Sequence, residues 1–398
     1  MSELHPAKPR AAAVQAPPLA MIYIRDQESE GVLRKCLTDL GMAAVSYSTG
    51  GIETAINDLA HKASPRLLVV DISGTEDPVA RVDELAHVCE PSTGVIVIGN
   101  TNDVALYRSL KNAGIVEYYF KPLVGNLVSR TCSTILKGGV EQRTAGTGKL
   151  VFVLGVHGSS GATGIATWAA WHLAETRHRR VLLLDLDLNS GDAALQLDVS
   201  PNHTLCEALE QPERVDDLFI ERGVIHVTPK FDLLASLEPL DQGVPCREEA
   251  VLSLLANLLR RYRYVFVDMP ASLAPQLMRV LHLPSTCILV SDTTLVAARD
   301  VARWREKIGA NTPERQTLHI ANKAGAYGSL PKDDFIRAVG QAPDFVIPFE
   351  REIVVTSMLG VKGLAENGGL AHALAPVLQQ IAGETAVESR SFLSRLLG

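Results

Sequence analysis

The residues with the plainest chemical potential lie in LVFVLGVHGSSGATG, Leu150 to Gly164. An apolar run enters a loop of glycine and serine, and the loop opens onto a helix-forming stretch at Ala162. Successive backbone N–H groups in such a loop, with a helix N-terminus behind them, form a concave site for phosphate. Gly158, Ser159, Ser160, Gly161, Ala162, Thr163 and Gly164 are the candidate cradle. The side chains depart from the usual pattern. A phosphate loop ends in Gly-Lys-Ser/Thr, whereas this one ends in Gly161-Ala162-Thr163, and the glycine expected five positions before Gly161 is Val156. An ordinary strand-to-helix turn favours the same small residues, so the loop alone does not decide the matter.

Further acids and amides stand where buried strands end: Asp71 in LLVVDIS, Asp185 and Asp187 in VLLLDLDLNSGD, Asp268 in YVFVDMP and Asn322-Lys323 in HIANK. Asp26 follows an earlier apolar run, and Lys121-Pro122 follows YYF. In an open parallel sheet ligands bind beyond the carboxyl ends of the strands. The plain alternative is that acids at this edge simply face water.

The elements that must position these groups alternate strand and helix twice over. At 398 residues, 46% hydrophobic and poor in aromatics, the chain suits two α/β domains with cores of Ala, Leu and Val. Residues 1–20, rich in Pro and Ala, read as a disordered leader. Between 21 and 137, apolar runs at Met21–Ile24, Ala43–Tyr47, Leu67–Val70, Val95–Ile98 and Glu117–Phe120 alternate with helical periodicity. That rhythm predicts a doubly wound parallel sheet. Residues 138–148 (GGVEQRTAGTG) read as a linker. From 149 to 385 the rhythm returns, again predicting a parallel sheet with helices on both faces. The stretch Thr204 to Leu240 cannot be ordered from its pattern. The six cysteines show no metal-ligand spacing and suit a reduced, cytoplasmic protein. A formal net charge of −7 and the lack of a basic run argue against a specific nucleic-acid partner.

Two resemblances follow from these residues. The front domain resembles a two-component receiver: Asp71 stands at the phospho-acceptor position, Lys121 at the phosphoryl-contacting lysine and Asp26 among the metal-binding acids. It is atypical, because Arg25-Asp26-Gln27 retains only one such acid and Gly99-Asn100 replaces the usual switch hydroxyl. The back domain carries the loop, LLLDLDLNSGD, YVFVDMP, HIANK and VIPFE in the order of ParA/MinD-type deviant Walker ATPases. The pair of domains resembles the TadZ/CpaE proteins of tight-adherence (Flp, type IVc) pilus assembly.

The resemblance implies ATP or ADP with Mg²⁺ in the loop. Thr163 would ligate the metal, and Asp268 would hold it through water. Asp187 would stand by the attacking water, Asn322 would contact adenine, and Ile347-Pro348-Phe349 would line the base. Both signature lysines are missing: His157 and Ala162 occupy their positions. A charge-assisted hydrogen bond contributes about 1.5–3 kcal/mol, so losing one predicts roughly ten- to hundredfold weaker nucleotide binding and a still weaker hydrolysis. The implied function is therefore a homodimeric localisation and assembly factor for the pilus secretion machinery, at most a weak ATPase, placed at a pole or at the inner membrane. A working ATPase switch, dimerising on ATP to position partners or DNA, is the alternative. Residues 386–398 form a short amphipathic tail with Phe392, Leu393, Leu396 and Leu397 on one stripe. Such a stripe packs on its own domain or a partner, or rests on a membrane.

Overall fold

The computed structural model describes residues 18–137, 148–241, 243, 245–350 and 368–382. The expected leader before residue 18, the linker residues 138–147, an expected helix at 353–359 and the amphipathic tail lie outside the described residues. The chain divides into two compact units, one drawn mainly from residues up to Ala145 and one from Gly146 onward.

The first unit is a five-stranded, all-parallel sheet. Its strands are β1 (Ala20–Ile24), β2 (Val45–Thr49), β3 (Leu67–Asp71), β4 (Gly94–Gly99) and β5 (Glu117–Phe120), in the spatial order β2-β1-β3-β4-β5. The helices between and after them are α1 (Gln27–Asp39), α2 (Ile52–Leu59), α3 (Pro78–Val88), α4 (Val104–Asn112) and α5 (Gly125–Leu136). Strands β1, β3 and β4 are buried along their whole length, which is why each reads as a continuous apolar run. Register pairs Val70 with Tyr23 and Asp71 with Ile98, so β3 delivers its acid to the carboxyl edge.

The second unit has eight strands: β6 (Lys149–Gly155), β7 (Val181–Asp185), β8 (Ile225–Thr228), β9 (Phe231–Leu234), β10 (Tyr264–Met269), β11 (Ser285–Ser291), β12 (Arg315–Ala324) and β13 (Phe345–Pro348). Their order is β13-β12-β11-β6-β10-β7-β9-β8. Alternate residues of the central strand feed two cores. Leu150, Phe152 and Leu154 pack on one face with Leu182, Val265 and Leu289, while Val151 and Val153 pack on the other with Leu183, Phe266 and Ile288. The helix after the loop, α6 (Ala162–Glu175), is buried on most sides. Its Ala166, Ala169, Ala170 and Ala174 let it lie close on the sheet.

The region that the pattern left unordered is now resolved. Thr204–Glu210 and Asp217–Gly223 are short helices, α8 and α9, following the brief α7 (Ala193–Gln196). Asp216 starts α9 by accepting a hydrogen bond from the Phe219 N–H at 2.7 Å. Strand β8 runs antiparallel to β9, so the expectation of a wholly parallel sheet holds for seven strands and fails at this edge. The reason is local: only Pro229-Lys230 separate the two strands, and a connection so short permits only a hairpin. The remaining helices are α10 (Glu248–Leu258), α11 (Met278–Leu281), α12 (Leu295–Ile308), α13 (Lys332–Val339) and α14 (Gly368–Ala382). Lys149, the first residue of β6, donates from Nζ to the carbonyls of Ile381 and Ala382 at 3.2 and 2.7 Å, closing the end of α14.

Candidate functional site

Strand β6 ends at Gly155, and the Val156 N–H donates to Val290 O at 2.9 Å, which fixes where the loop departs from the sheet. The loop then turns tightly. Ser159 has φ +63° and Gly161 has φ +90°. At Gly161 the conformation and the space both demand glycine, since a Cβ there would lie 2.4 Å from Asn322 Nδ2. Ser160 is buried beneath the turn. Helix α6 begins at Ala162 without a side-chain cap, so the first-turn N–H groups have no capping side chain on them. A bare helix start after a loop with residues at positive φ is an arrangement that cradles phosphate.

The loop forms one wall of a cavity of about 570 Å³. Gly158, Ser159, Ser160, Gly161, Ala162, Thr163 and Gly164 all line it, together with Asp187 and Asp268 from neighbouring strand ends. Asp192 and Gln196 line it too, and among the described residues no lysine or arginine does. The geometry is that of an anion cradle facing several carboxylates.

Register explains the carboxylates. Asp268 of β10 pairs with Asp185 of β7, so two acids stand side by side on the central strands. Burial pushes the Asp268 carboxyl up to about 8, helped by the charge of Asp185, while a hydrogen bond with Thr163 opposes the rise. Burial likewise raises Asp185 to about 7, against the pull of the Asp187 and Ala193 N–H groups. Both acids therefore lack the positive charge that would normally hold a buried carboxylate ionised. Thr163 and Asp268 fit a magnesium ion: a hydroxyl and an uncompensated carboxylate meet at the mouth of the loop. Among the described residues no group of three or more His, Cys, Asp or Glu could hold a metal. An ion here would take the rest of its oxygens from water and phosphate. When bound it would supply positive charge to both the acids and the phosphates.

Asp187 is less available than the sequence suggested. Ser190 donates to it from its backbone N–H at 3.0 Å and from its hydroxyl at 3.0 and 3.2 Å. Asp187 thus shapes the turn after β7, with one face toward the cavity. Asn322 and Pro348 do not line the cavity. Asn322 donates from Nδ2 to Ser160 O at 2.8 Å and accepts from the Lys323 N–H at 2.9 Å, which commits its amide to the loop. Pro348 is exposed at the end of β13, in register with Ala324. Ile347 is fully buried in the core. His157, at the signature-lysine position, turns its Nδ1 to Gly158 O at 2.8 Å and its Nε2 toward Asp292 at 3.6 Å.

Two of the strand-end residues take roles that the sequence did not assign them. Asp185 is the last residue of β7, whereas the sequence assigned a role only to the acid two places later. The signal was present, because only the first acid of LLLDLD continues the apolar strand. Lys323 has no such signal. Its ammonium donates to Ser159 O at 2.7 Å across a sequence gap that only the fold closes.

In the first unit Asp71, Asp26 and Lys121 come together as expected. Lys121 Nζ lies 2.6 Å from Asp71 Oδ2 and 2.6 Å from Asp26 Oδ2. Asp71 is fully buried and also accepts from the N–H groups of Ser73 at 2.8 Å and Arg25 at 3.2 Å. Burial pushes its carboxyl up, but the Lys121, Ser73 and Arg25 hydrogen bonds prevail and hold it below the usual carboxylate value. Asp26 spends its other oxygen capping α1 through the Ser29 N–H at 2.7 Å. The lysine thus stands between the two acids that a metal would otherwise bridge.

No protein-family model matches the chain, and no curated protein sequence does. Among solved structures, a ParA family ATPase from Chlorobium tepidum superposes with a TM-score of 0.51 at 20% identity, covering 58% of this chain and 98% of that one. The fold is therefore that of the ParA-type P-loop ATPases, joined to a receiver-like α/β unit. The N-terminal part is 32% identical to the pilus assembly protein CpaE of Caulobacter crescentus, covering 29% of this chain and 97% of that one with a TM-score of 0.27. It is 30% identical to CpaE2 of Sinorhizobium meliloti, covering 29% of this chain and 98% of that one with a TM-score of 0.27. Over that part the chain is similar to these CpaE pilus assembly proteins.

Proposed function

We propose that the protein is an assembly factor of a tight-adherence pilus system, in which the ParA-like unit acts as a nucleotide-stabilised scaffold with little or no ATP turnover. The pilus role rests on the likeness of the front unit to CpaE pilus assembly proteins. The nucleotide role rests on one observation above the others. An intact backbone cradle and an uncompensated Asp268–Thr163 pair face one cavity, yet among the described residues no lysine or arginine lines it. Backbone N–H groups and a magnesium ion suffice to hold a diphosphate or triphosphate. Phosphoryl transfer needs more, because the charge that builds up on the transferring group must be met by fixed cations. Asp187, tied to Ser190, is poorly placed to orient a water. In this reading dimerisation follows nucleotide occupancy, the receiver-like unit offers a docking surface, and neither polar placement nor membrane contact requires hydrolysis. No helix among the described residues is long and apolar enough to cross a membrane.

The test is calorimetry of the full chain with ADP and ATP in the presence of Mg²⁺, with light scattering on the same samples. Micromolar binding without phosphate release, lost in Gly161→Glu and Asp268→Ala, supports the scaffold. Steady phosphate release at ordinary ATPase rates would establish the switch instead. No binding up to millimolar nucleotide would refute both.

A further inference from the structure

Lys323 is an unusual residue in an unusual place. It follows the last buried residues of β12, where the pairing with β13 breaks register between Ala321 and Ala324. Its backbone has φ +55°, a conformation that side chains other than glycine and asparagine seldom adopt. That twist directs the side chain back over the phosphate loop. The Cε atom lies 3.8 Å from the point where a Cβ on Gly161 would sit, and the ammonium donates to Ser159 O at 2.7 Å. Asn322 beside it holds the next carbonyl, Ser160 O. Two consecutive residues of β12 therefore grip two consecutive carbonyls of the loop. Ser159, one of the two, is itself at positive φ.

The electrostatic setting makes this grip more than a strut. Asp187, Asp192 and Asp268 line the cavity beside the loop, with Asp185 buried behind them. His157 is turned toward Asp292. An anion entering the cradle meets several acids and, from the described cavity wall, no lysine or arginine. Lys323 is the ammonium bonded to the loop backbone, and its side chain remains at the surface with further N–H donors to offer.

We propose that Lys323 is the fixed positive charge of this phosphate loop, reaching from the end of β12 to supply what position 162 lacks, for a ligand of the nucleoside-polyphosphate class. This rests on the reading of the loop as a nucleotide site. Lys323 acts from outside the cavity wall, on the far side of the loop backbone, so it strengthens binding of the whole anion and does not contact a transferring group. Asn322 is a positioning residue for the loop, not an adenine contact.

The experiment is titration of the full chain with Mg-ADP at low and high salt, comparing the native chain with Lys323→Met, Lys323→Arg and Ala162→Lys. The neutral variant should bind roughly three- to tenfold more weakly at low ionic strength, and the gap should shrink as salt screens the charge. Lys323→Arg should restore binding. Placing Ala162→Lys on Lys323→Met should recover most of the loss, because the charge is returned to the loop. Equal binding by Lys323→Met and the native chain overturns the proposal while leaving the nucleotide site standing. So does a loss that is the same at both salts, or one that Lys323→Arg does not repair, since a strut without electrostatic duty behaves that way. Absence of binding by the native chain overturns the nucleotide reading, and this inference with it.

Discussion

Each unit ends its central strands in buried acids, and the two units treat those acids in opposite ways. In the receiver-like unit Lys121 bridges Asp71 and Asp26 at 2.6 Å each, so the charge is already balanced. In the ParA-like unit Asp268 and Asp185 meet a hydroxyl and two N–H groups beside further acids, and both carboxyls are driven up, to about 8 and about 7. One site is closed by its own cation and the other waits for one. A carboxylate at a strand end therefore says little about ligands until its nearest positive charge is known. The first arrangement resists a metal ion, because a metal would have to displace the ammonium. The second gains from one.

The largest break in this comparison should come from Lys121→Ala. It strands a fully buried, hydrogen-bonded Asp71 without its partner, and removing one member of a buried pair costs about 3 kcal/mol. Denaturant unfolding should show the loss. The mirror experiment has the opposite sign. Asp268→Asn removes a charge that burial disfavours, so it should stabilise the nucleotide-free protein at pH 8 by on the order of 2 kcal/mol. It should also abolish any gain from adding Mg-ADP. If Asp268→Asn proves destabilising without ligand, the uncompensated-acid picture is wrong.

A pH series sharpens the contrast. Asp268 and Asp185 hold protons in the folded state that the unfolded chain has already released above about pH 4. Their contribution to stability should therefore fall as pH rises from about 4 to about 8, and saturating Mg-ADP should flatten that slope. For Asp71 the sign reverses. Its lowered carboxyl stabilises the fold above the ordinary carboxylate value and loses that contribution as pH falls through the folded value. Thermal melts from pH 3 to pH 8, with and without Mg-ADP, separate the two trends.

The smallest effect should be none at all. With Lys121 bridging the acids, acetyl phosphate and Mg²⁺ should leave the intact mass of the protein unchanged. A gain of one phosphoryl group, lost in Asp71→Asn, would reopen the receiver as a switch.

Much of this contrast was legible in the sequence, because strand ends are. The five strands of the first unit fall on or close to the apolar runs read from the sequence, and the acids Asp71 and Asp268 fall at the predicted edges. What stayed hidden depends on chain crossings. A period of two marks a strand but not its direction, so β8 became visible only through its short hairpin. The helix Lys332–Val339 also went unread. The roles suggested for Asn322 and Pro348 assumed that residues in family order face the ligand. In this fold the Asn322 amide is instead spent on the loop backbone. The difference between a bridged Asp71 and an unbridged Asp268 lies in which cation the fold brings near, and no local pattern encodes that.

The tie from Lys149 to the last carbonyls of α14 gives the ParA-like unit a front and a back. Strand β6 carries Lys149 at one end and Gly155, the threshold of the loop, at the other. Seven residues of strand span roughly 20 Å. The last described turn of α14 is thus moored at the end of β6 opposite the cradle.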